Sequence, residues 1–368
     1  MARPKKVSMQ DIANRLGISK NAVSLALSGK KGVSESVRRS VLAAAEELGY
    51  GTTDLDDRPT RSSRNVLVLV PERVVSYTDN EHFHFFHDML WILEESIRAK
   101  GCNAVIARID RKMEEGLILP GLFTDVQHIG IILFGITAKP YAQMIWDTDV
   151  PLVMLDSYYR DLPCAAAVSA NTEGAEAAVR WLIQRGHRKI GFIGPANLTT
   201  SHEERWFGYW RATREAGLPI EERHALLEAS DFDEEKNERE IGRFLERIGM
   251  GPSSSADLQS RIGQQEAAIP TAFFCGNDRL ALLLIRRLRA MDISVPQSVE
   301  VAGFDGLKQA TESGAGLSAT VRVDKRKMCE AAVELLLGGH GDKREALRAA
   351  VTGELRVVDD LSAGNKPD

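Results

Sequence analysis

A short stretch near the N-terminus carries polar side chains at a spacing that suits contacts with nucleic acid. The outer side of one predicted helix carries Lys20, Asn21, Ser24 and Ser28. Asparagine can form two hydrogen bonds with adenine, and lysine can donate to guanine. Serine hydroxyls can donate to phosphate oxygens. The stretch therefore predicts a DNA-binding surface, although a three-helix bundle without a ligand remains the alternative.

Three short helices are predicted to hold this surface. Ser8, Ser19 and Ser34 each precede apolar residues at helical spacing, so each can cap a helix. Gly17 separates the first two helices. Helix, short turn with glycine, helix, loop and helix within about 45 residues is the plan of a helix-turn-helix domain. The expected apolar positions of the third helix are Val37, Val41, Leu42, Ala45 and Leu48.

Charge is distributed unevenly along the 368 residues. Residues 1–50 contain nine Lys or Arg and four Asp or Glu, a net charge of +5, whereas residues 51–368 carry −10. A basic segment attracts a polyanion, and an acidic one is repelled by it. The N-terminal segment alone is therefore expected to contact nucleic acid.

Composition excludes several classes of protein. Apolar residues make up 43% and charged residues 27% of the chain, which excludes a disordered chain, a collagen and a coiled-coil rod. No apolar run approaches the ~18 residues that cross a bilayer, and no apolar segment follows the basic N-terminus as in a signal peptide. The widely spaced cysteines indicate reduced thiols rather than a disulfide framework. We therefore expect a cytoplasmic protein without a membrane partner. The cysteines are Cys102, Cys164, Cys275 and Cys329.

The remaining chain alternates predicted strands with helices of roughly 10–16 residues, a pattern that indicates an α/β fold with parallel sheets. About 300 residues suffice for two such lobes. The predicted strands are 65–71, 104–109, 129–134, 150–155, 189–193, 272–275 and 299–304. The predicted helices are 85–100, 173–185, 203–216 and 278–291.

Polar side chains follow strand ends or open helices in this pattern. They are Asp156, Arg205, Asn277 and Asp305. Open parallel sheets bind ligands at the carboxyl ends of their strands. Carboxylates accept from hydroxyls, a guanidinium donates and an amide does both, so the set suits a polyol.

Each of these residues also has a structural alternative. Asp156 and Asp305 can cap turns, and Arg205 can pair with Glu203 at the surface. Asn277 and Asp278 compete for one helix cap; we assign the cap to Asp278 and the pocket to Asn277.

Both parts of the chain resemble one known family, the lactose-repressor type (LacI/GalR) of transcription regulators. Residues 7–50 match its headpiece through Asp11-Ile12-Ala13, Gly17-Ile18-Ser19, Val23-Ser24, Ser34 and Leu48-Gly49-Tyr50. The body matches its effector-binding core through Gly186-His187-Arg188-Lys189-Ile190, Glu204-Arg205 with Gly208, Asn277-Asp278, Val295-Pro296, Gly303-Phe304-Asp305 and 317–321. The resemblance implies the type I periplasmic-binding-protein fold, in which two Rossmann-like lobes are joined by three crossovers, here near residues 163, 320 and 348.

The resemblance also implies roles for individual residues. The second helix would enter the major groove, with Lys20 and Asn21 selecting the operator. Leu25 stands where many relatives carry arginine, which implies contact with a thymine methyl instead of guanine. The residues that would touch phosphate or bases include Ser19, Ser24, Ser28 and Ser34. In the core, Phe232 would lie against a ligand face, with ordinary core packing as its alternative, and Phe85 and Phe86 would line the opposite wall.

The linker, residues 51–64, departs from the family pattern. Relatives usually have Pro-Asn here, then Ala and a Leu on a hinge helix that wedges into the minor groove. Thr52-Thr53, Asp56 and Pro59 replace these residues, and Asp54 and Asp57 would also face phosphate. We therefore expect a flexible linker.

Together these observations predict a repressor that binds a pseudopalindromic operator as a homodimer or a dimer of dimers. A small polar molecule, such as a sugar, would modulate it from between the lobes. The expected domains are 1–50 (helix-turn-helix), 51–64 (linker), 65–360 (effector binding and dimerisation) and 361–368 (tail). The alternatives are a regulator controlled by a protein partner or by abundance with a vestigial cleft, and an enzyme that kept a DNA-binding head.

The sequence predicts neither a cofactor nor a catalytic set. The histidines of the segment 82–88 have a metal-like spacing, but no cysteine supports them, and we expect no metal site. The glycine-rich segment 191–195 lacks the lysine and hydroxyl residue of a P-loop.

Overall fold

A computed structural model describes residues 7–27, 32–48, 64–74, 81–230, 233–250, 269–341 and 347–358. The chain divides into two compact units, Met1–Arg64 and Asn65–Asp368. The described part of the first unit contains α1 (Met9–Leu16), α2 (Lys20–Leu27) and α3 (Glu35–Glu47).

A small apolar core holds these three helices together. Ile12, Val23 and Val41, one from each helix, are fully shielded from solvent. Leu42, an expected core position, is instead 50% exposed, and Ala44 is buried. The reason is helical periodicity, because positions three and four residues after Val41 share its face, whereas the next residue points about 100° away.

Local hydrogen bonds begin and end the helices as the sequence predicts. The hydroxyls of Ser19 and Ser34 accept from backbone N–H groups three residues later, at 3.1 and 3.3 Å. At α1, the Asp11 carboxylate accepts from the N–H of Ser8 at 2.8 Å. Gly17 ends α1 with a φ of +64°, a left-handed conformation that suits glycine.

The second unit is an α/β structure. Its elements in chain order are β1 (Asn65–Pro71), α4 (Glu81–Ala99), β2 (Asn103–Ile109), α5 (Arg111–Gly116), α6 (Leu122–Asp125), β3 (Gly130–Phe134), α7 (Lys139–Trp146), β4 (Leu152–Leu155), β5 (Ala165–Ser169), α8 (Asn171–Gln184), β6 (Ile190–Ile193), α9 (Thr200–Glu215), β7 (Ala225–Leu226), α10 (Glu234–Arg247), β8 (Ala272–Cys275), α11 (Asp278–Arg289), β9 (Glu300–Asp305), β10 (Ala319–Arg322), α12 (Lys325–Leu337), β11 (Arg348–Val351) and β12 (Glu354–Val357). Short 3₁₀ turns occupy Glu72–Val74, Glu222–His224 and Gln309–Thr311.

The described strands form two six-stranded sheets, one in each lobe. The first has the order β11-β5-β4-β3-β1-β2 and is entirely parallel. The second has the order β12-β10-β9-β8-β6-β7, and only its β10–β12 pairing is antiparallel. Leu67 of β1 pairs with Val105 and Ile131 on its two neighbours. The apolar run of β1 follows from this central position, because helices cover both faces of a parallel sheet.

The chain passes between the two lobes three times. It leaves the first sheet between β5 and α8, returns between β10 and α12, and crosses finally between β11 and β12. These crossings lie a few residues beyond the expected positions 163, 320 and 348. The predicted fold class, a helix-turn-helix unit followed by two Rossmann-like lobes, is confirmed.

Most predicted strands are present with nearly the predicted bounds, and β1 and β8 match them fully. The strand β5 is not predicted by the sequence, because its Ala-Ala-Ala-Val-Ser segment favours helix. Its hydrogen bonds to β4 and β11 on either side hold it extended. No helix in the described ranges has the length and apolar character to cross a bilayer.

Candidate functional site

A cavity lies between the two lobes, where the carboxyl ends of their strands meet. Six of the seven residues that the sequence singles out for a ligand line it: Phe85, Phe86, Asp156, Arg205, Asn277 and Asp305. The first three belong to the first lobe and the last three to the second. The seventh, Phe232, lies outside the described residues.

Arg205, on the first turns of α9, makes several polar contacts beside the cavity. Its Nη1 lies 3.2 Å from Oδ1 of Asp305 and donates to the carbonyl of Gly276 at 2.7 Å. Its Nε donates to Oδ1 of Asn171 at 3.0 Å. The guanidinium carbon is 3.9 Å from the ring centroid of Phe304. These contacts hold the buried guanidinium in one orientation beside the cavity.

The structure excludes the surface pairing considered for Arg205. Arg205 is 6% exposed, and Glu203 pairs with Arg160 instead. Residues two positions apart on an α-helix point about 200° apart, so Glu203 faces the neighbouring loop while Arg205 faces the cleft.

The assignment of the helix cap to Asp278 is wrong. Asn277 is the N-cap of α11, because its Oδ1 accepts from the N–H of Leu280 at 2.9 Å. Asn277 lines the cavity as well. Asp278 turns inward instead, where its carboxylate accepts from the Thr320 hydroxyl at 2.7 Å and from the N–H of Leu307 at 2.8 Å.

Asp156 and Asp305 occupy equivalent places in the two lobes. Each ends a parallel strand, and each has a positive φ, +76° and +109°. Such backbone is costly for residues other than glycine, and it is concentrated at functional sites. The two strained turns bring one carboxylate from each lobe to the cavity.

An aromatic wall closes the side of the cavity that the first lobe forms. The rings of Phe85 and Phe86 meet edge to face with centroids 5.1 Å apart. The Lys325 ammonium lies 4.4 Å from the Phe85 centroid and 3.4 Å from the Asp88 carboxylate. Burial lowers the pKa of Lys325, and Asp88 opposes that shift. The wall therefore combines an apolar ring face with a nearby positive charge.

Four residues that line the cavity were not predicted from the sequence: Ile136, Thr199, Ser201 and His202. Thr199 is the N-cap of α9, and its hydroxyl bonds Nδ1 of His202 at 2.7 Å. The run Thr199-Thr200-Ser201, placed after strand 190–193, is a helix-start signal that could have located this side of the cavity.

The cavity is small in this arrangement of the lobes. Its volume is about 30 Å³, whereas small-molecule sites usually measure ~300–1,000 Å³. A sugar-sized ligand would therefore need the lobes to move apart.

A larger cavity, of about 440 Å³, lies within the first lobe beside the 3₁₀ turn after β1. None of the predicted ligand residues lines it. Its buried carboxylate, Glu114, already accepts from Arg73 at 2.6 Å and from the N–H of Ala138. Burial raises the pKa of Glu114, but these hydrogen bonds outweigh it and hold the pKa below its usual range.

In the first unit, the predicted DNA surface is the exposed face of α2. Lys20, Asn21 and Ser24 are exposed, whereas Val23 is buried on the opposite face. Leu25 is half-buried. The exposed Ser19 and Ser34 cap α2 and α3, and Ser28 lies outside the described residues.

Other reactive groups form no second centre where the chain is described. No cluster of three or more His, Cys, Asp or Glu side chains there could hold a metal ion. The four cysteines are buried and free of disulfides. Burial raises the pKa of Cys164 and of Cys329 to about 12, which makes both thiols poor nucleophiles at neutral pH.

A helix-turn-helix unit followed by a two-lobed α/β unit, with a polar cleft between the lobes, defines a class of DNA-binding transcription regulators. Models of known families agree. The model described as bacterial regulatory proteins, lacI family, matches residues 8–52. A second model, described as periplasmic binding proteins and sugar binding domain of LacI family, matches residues 64–247. A third model, described as a periplasmic binding protein-like domain, matches residues 179–358. The chain belongs to the LacI family.

Individual relatives span nearly the whole chain. A transcriptional repressor PurR of Klebsiella pneumoniae is 25% identical over 98% of both chains, and a PurR of Pectobacterium carotovorum is 24% identical over 92% of both. Among solved structures, a CelR–cellobiose complex has a TM-score of 0.65 at 23% identity and covers 96% of this chain and 99% of its own. A lac repressor dimer bound to operator and an anti-inducer has a TM-score of 0.61 at 19% identity, with 95% and 98% covered.

Proposed function

We propose that this chain is a transcriptional repressor whose affinity for a pseudopalindromic operator is controlled by an uncharged polyol, such as a sugar, bound between the lobes. The two PurR relatives and the lac repressor are named as repressors, which supports the first part. The observation that carries the second part is the buried Arg205–Asp305 pair beside the cavity, with Asn277 next to it and Asp156 on the opposite lobe.

The charged groups that the structure describes around the cavity leave no unpaired positive charge for an anionic ligand, which favours a neutral polyol over a sugar phosphate or acid. Asp156 and Asp305 contribute two formal negative charges and Arg205 one positive charge that is paired with Asp305, and the nearby Lys325 is paired with Asp88. The site presents both hydrogen-bond donors and hydrogen-bond acceptors in fixed positions. Such a site suits hydroxyl groups, because a hydroxyl both donates and accepts. The face of Phe85 suits the C–H side of a sugar ring. A sugar phosphate or sugar acid would add an unbalanced charge in a desolvated site.

The operator would be read by α2 of two copies of the chain. One eight-residue helix reaches few base edges, and two heads on a twofold axis multiply affinity. A lac repressor is a dimer in its operator complex, which supports the same assembly here. Residues 1–50 would bind DNA, 51–64 link the units, and 65–360 bind effector and dimerise.

The experiment is a calorimetric and thermal-shift screen of the full chain. Cellobiose, the ligand named for one structural relative, is the first probe, followed by other neutral mono- and disaccharides and their phosphates. A sugar at 100 times its Kd should stabilise the folded chain by about 2.7 kcal/mol. The bound sugar should also change operator affinity in gel shifts. Neutral sugars should act and their phosphates should not.

One observation favours the alternative, a regulator controlled by a protein partner or by abundance with a vestigial cleft. The cavity of about 30 Å³ is too small for a sugar unless the lobes open. If no saccharide in the screen stabilises the chain while operator binding is intact, this alternative replaces the effector-controlled repressor.

A further inference from the structure

Hydrogen bonds join the two lobes beside the cavity. They connect the loop after β4, in the first lobe, with the first turn of α9, in the second. Thr200 donates its hydroxyl hydrogen to the carbonyl of Tyr158 at 2.6 Å, and Ser201 donates to the carbonyl of Asp156 at 3.0 Å. Because donor and acceptor lie on different lobes, these bonds can form only while the lobes are together.

A third hydrogen bond between the lobes has a carboxylate as its acceptor. The Tyr158 hydroxyl donates to Oε1 of Glu204 at 2.5 Å. Its buried ring is held by Arg348 of β11, whose guanidinium carbon lies 3.7 Å from the ring centroid. Burial and the bond to Glu204 raise the pKa of Tyr158 to about 12, so the hydroxyl remains a donor at neutral pH.

Glu204 extends this contact to the cleft. Its Oε2 accepts from Nδ2 of Asn171 at 3.2 Å, and Oδ1 of Asn171 accepts from Nε of Arg205 at 3.0 Å. Nδ2 of Asn171 also donates to the carbonyl of Ser169 at 3.0 Å, across the first crossing between the lobes. One carboxylate thus connects the opposite lobe, the crossing and the guanidinium beside the cavity.

We propose that Tyr158 and Glu204 are positioning residues whose hydrogen bond stabilises the closed arrangement of the lobes and, through Asn171, orients Arg205. A contact present in only one of two arrangements biases the equilibrium between them. The pair would therefore set how readily the lobes open to admit a ligand and how much of the protein holds Arg205 in the orientation it has beside the closed cavity. This role rests on the proposed function of the cleft, but the lobe equilibrium itself can be measured without sugar or DNA.

The test measures the distance between the lobes in the full chain by pulsed electron paramagnetic resonance. Spin labels on Lys112→Cys and Glu246→Cys mark exposed positions of the first and second lobes, and the four native cysteines are buried. Tyr158→Phe keeps the ring beside Arg348 and removes only the hydroxyl. It should lower the ratio of closed to open molecules by about tenfold or more, the usual effect of one hydrogen bond to a charged group. Glu204→Gln should lower it less, because neutral hydrogen bonds are weaker.

The matched control is Tyr159→Phe. The Tyr159 hydroxyl donates to the carbonyl of Thr137, and both residues belong to the first lobe, so the distance distribution should not change. The NMR signal of the Arg205 Nε–H group reports the positioning role directly. It should shift in Tyr158→Phe and Glu204→Gln and stay in place in Tyr159→Phe.

Three results would overturn the proposal: a wild-type distribution without the short distance, an unchanged distribution in Tyr158→Phe, or equal changes in both tyrosine variants. The outcome is separable from the proposed function. If Tyr158→Phe opens the lobes but no saccharide binds the wild type, the contact stands and the sugar site does not.

Discussion

The hydroxyl of Thr320 donates to the carboxylate of Asp278 over 2.7 Å and so joins β10 to the first turn of α11 beneath the cleft. Gly303, on the intervening strand β9, leaves room for this contact. A Cβ atom at Gly303 would lie 2.1 Å from Oδ1 of Asp278. The glycine of Gly303-Phe304-Asp305 therefore has a packing role in this structure.

Asp278→Asn should change how stability depends on pH. Asp278 is fully buried, and burial together with the nearby Asp305 raises its pKa well above its usual range, although Thr320 and two backbone N–H groups oppose the shift. The folded chain then holds this proton to higher pH than the unfolded chain. Its contribution to stability is present below about pH 4 and is lost as the pH rises toward the folded pKa.

Urea unfolding from pH 3 to 8 measures this effect, because the contribution of Asp324 changes mainly below about pH 5 and that of Asp278 above about pH 4. The stability of wild type relative to Asp278→Asn should fall as the pH rises. Asp324→Asn is a control of opposite sign. Burial raises the pKa of Asp324, but hydrogen bonds from Lys327 outweigh burial and keep the pKa low. The stability of wild type relative to Asp324→Asn should therefore increase as the pH rises. A pH-independent difference for Asp278→Asn would show that its carboxyl is not perturbed.

Arg205→Ala should destabilise the chain by about 3–5 kcal/mol, because it leaves the Asp305 carboxylate buried without its partner. Arg205→Lys, which keeps the charge but not the planar fork, should cost less and still weaken sugar response. Arg160→Ala, which removes an exposed pair with Glu203, should change stability by less than about 1 kcal/mol. Chemical denaturation compares the three; equal losses at positions 205 and 160 would argue against a structural role for the buried pair.

Gly208→Ala should destabilise the packing of α8 against α9. An added Cβ would lie 2.4 Å from the carbonyl oxygen of Thr172 and 2.7 Å from Cβ of Ala175. Overpacking costs about 1–3 kcal/mol, partly offset by the higher helix propensity of alanine. Gly121→Ala, where the new atom meets only Asp125 at 3.5 Å, is the control. Thermal unfolding should rank Gly208→Ala below both wild type and control, and a more stable Gly208→Ala would contradict the close packing.

Asn21→Ala should cost about 1–3 kcal/mol on the selected operator and relax the preference at one base position. The reason is the exposed place of Asn21 on α2 and the two hydrogen bonds that asparagine can form with adenine. Ser40→Ala, at an exposed position of α3, is the control. Selection of bound DNA from a random pool tests this role. If Asn21→Ala weakens binding equally on all DNA sequences, Asn21 contacts phosphate rather than a base.

The linker should produce little bending of the operator. Residues 51–63 lie outside the described structure, so this expectation rests on sequence alone. Leu55 and Pro59 are the apolar residues among positions 52–60, and Asp54, Asp56 and Asp57 oppose binding to phosphates. Circular-permutation gel shifts measure the bend. A bend of about 40° or more, with binding lost in Leu55→Ala, would show a hinge helix that wedges the minor groove.

The sequence by itself determines the local elements of this protein. Serines that cap helices, the apolar run of β1 and the polar residues at strand ends are properties of short segments, and the structure has them where the sequence places them. Asp156, Arg205, Asn277 and Asp305 could be named for the same reason, since the carboxyl ends of parallel strands meet at one edge, whereas the places of Phe85 and Phe86 are implied by the family resemblance.

Tertiary structure alone decides which partners these residues have. Asp305, far along the chain, rather than the neighbouring Glu203, pairs with Arg205. Asn277 caps α11 because Asp278 is drawn inward by Thr320. The alanine-rich β5 is a strand because two neighbouring strands bond to it. In each case the deciding hydrogen bond or ion pair joins segments that are distant in sequence, so no local pattern contains it.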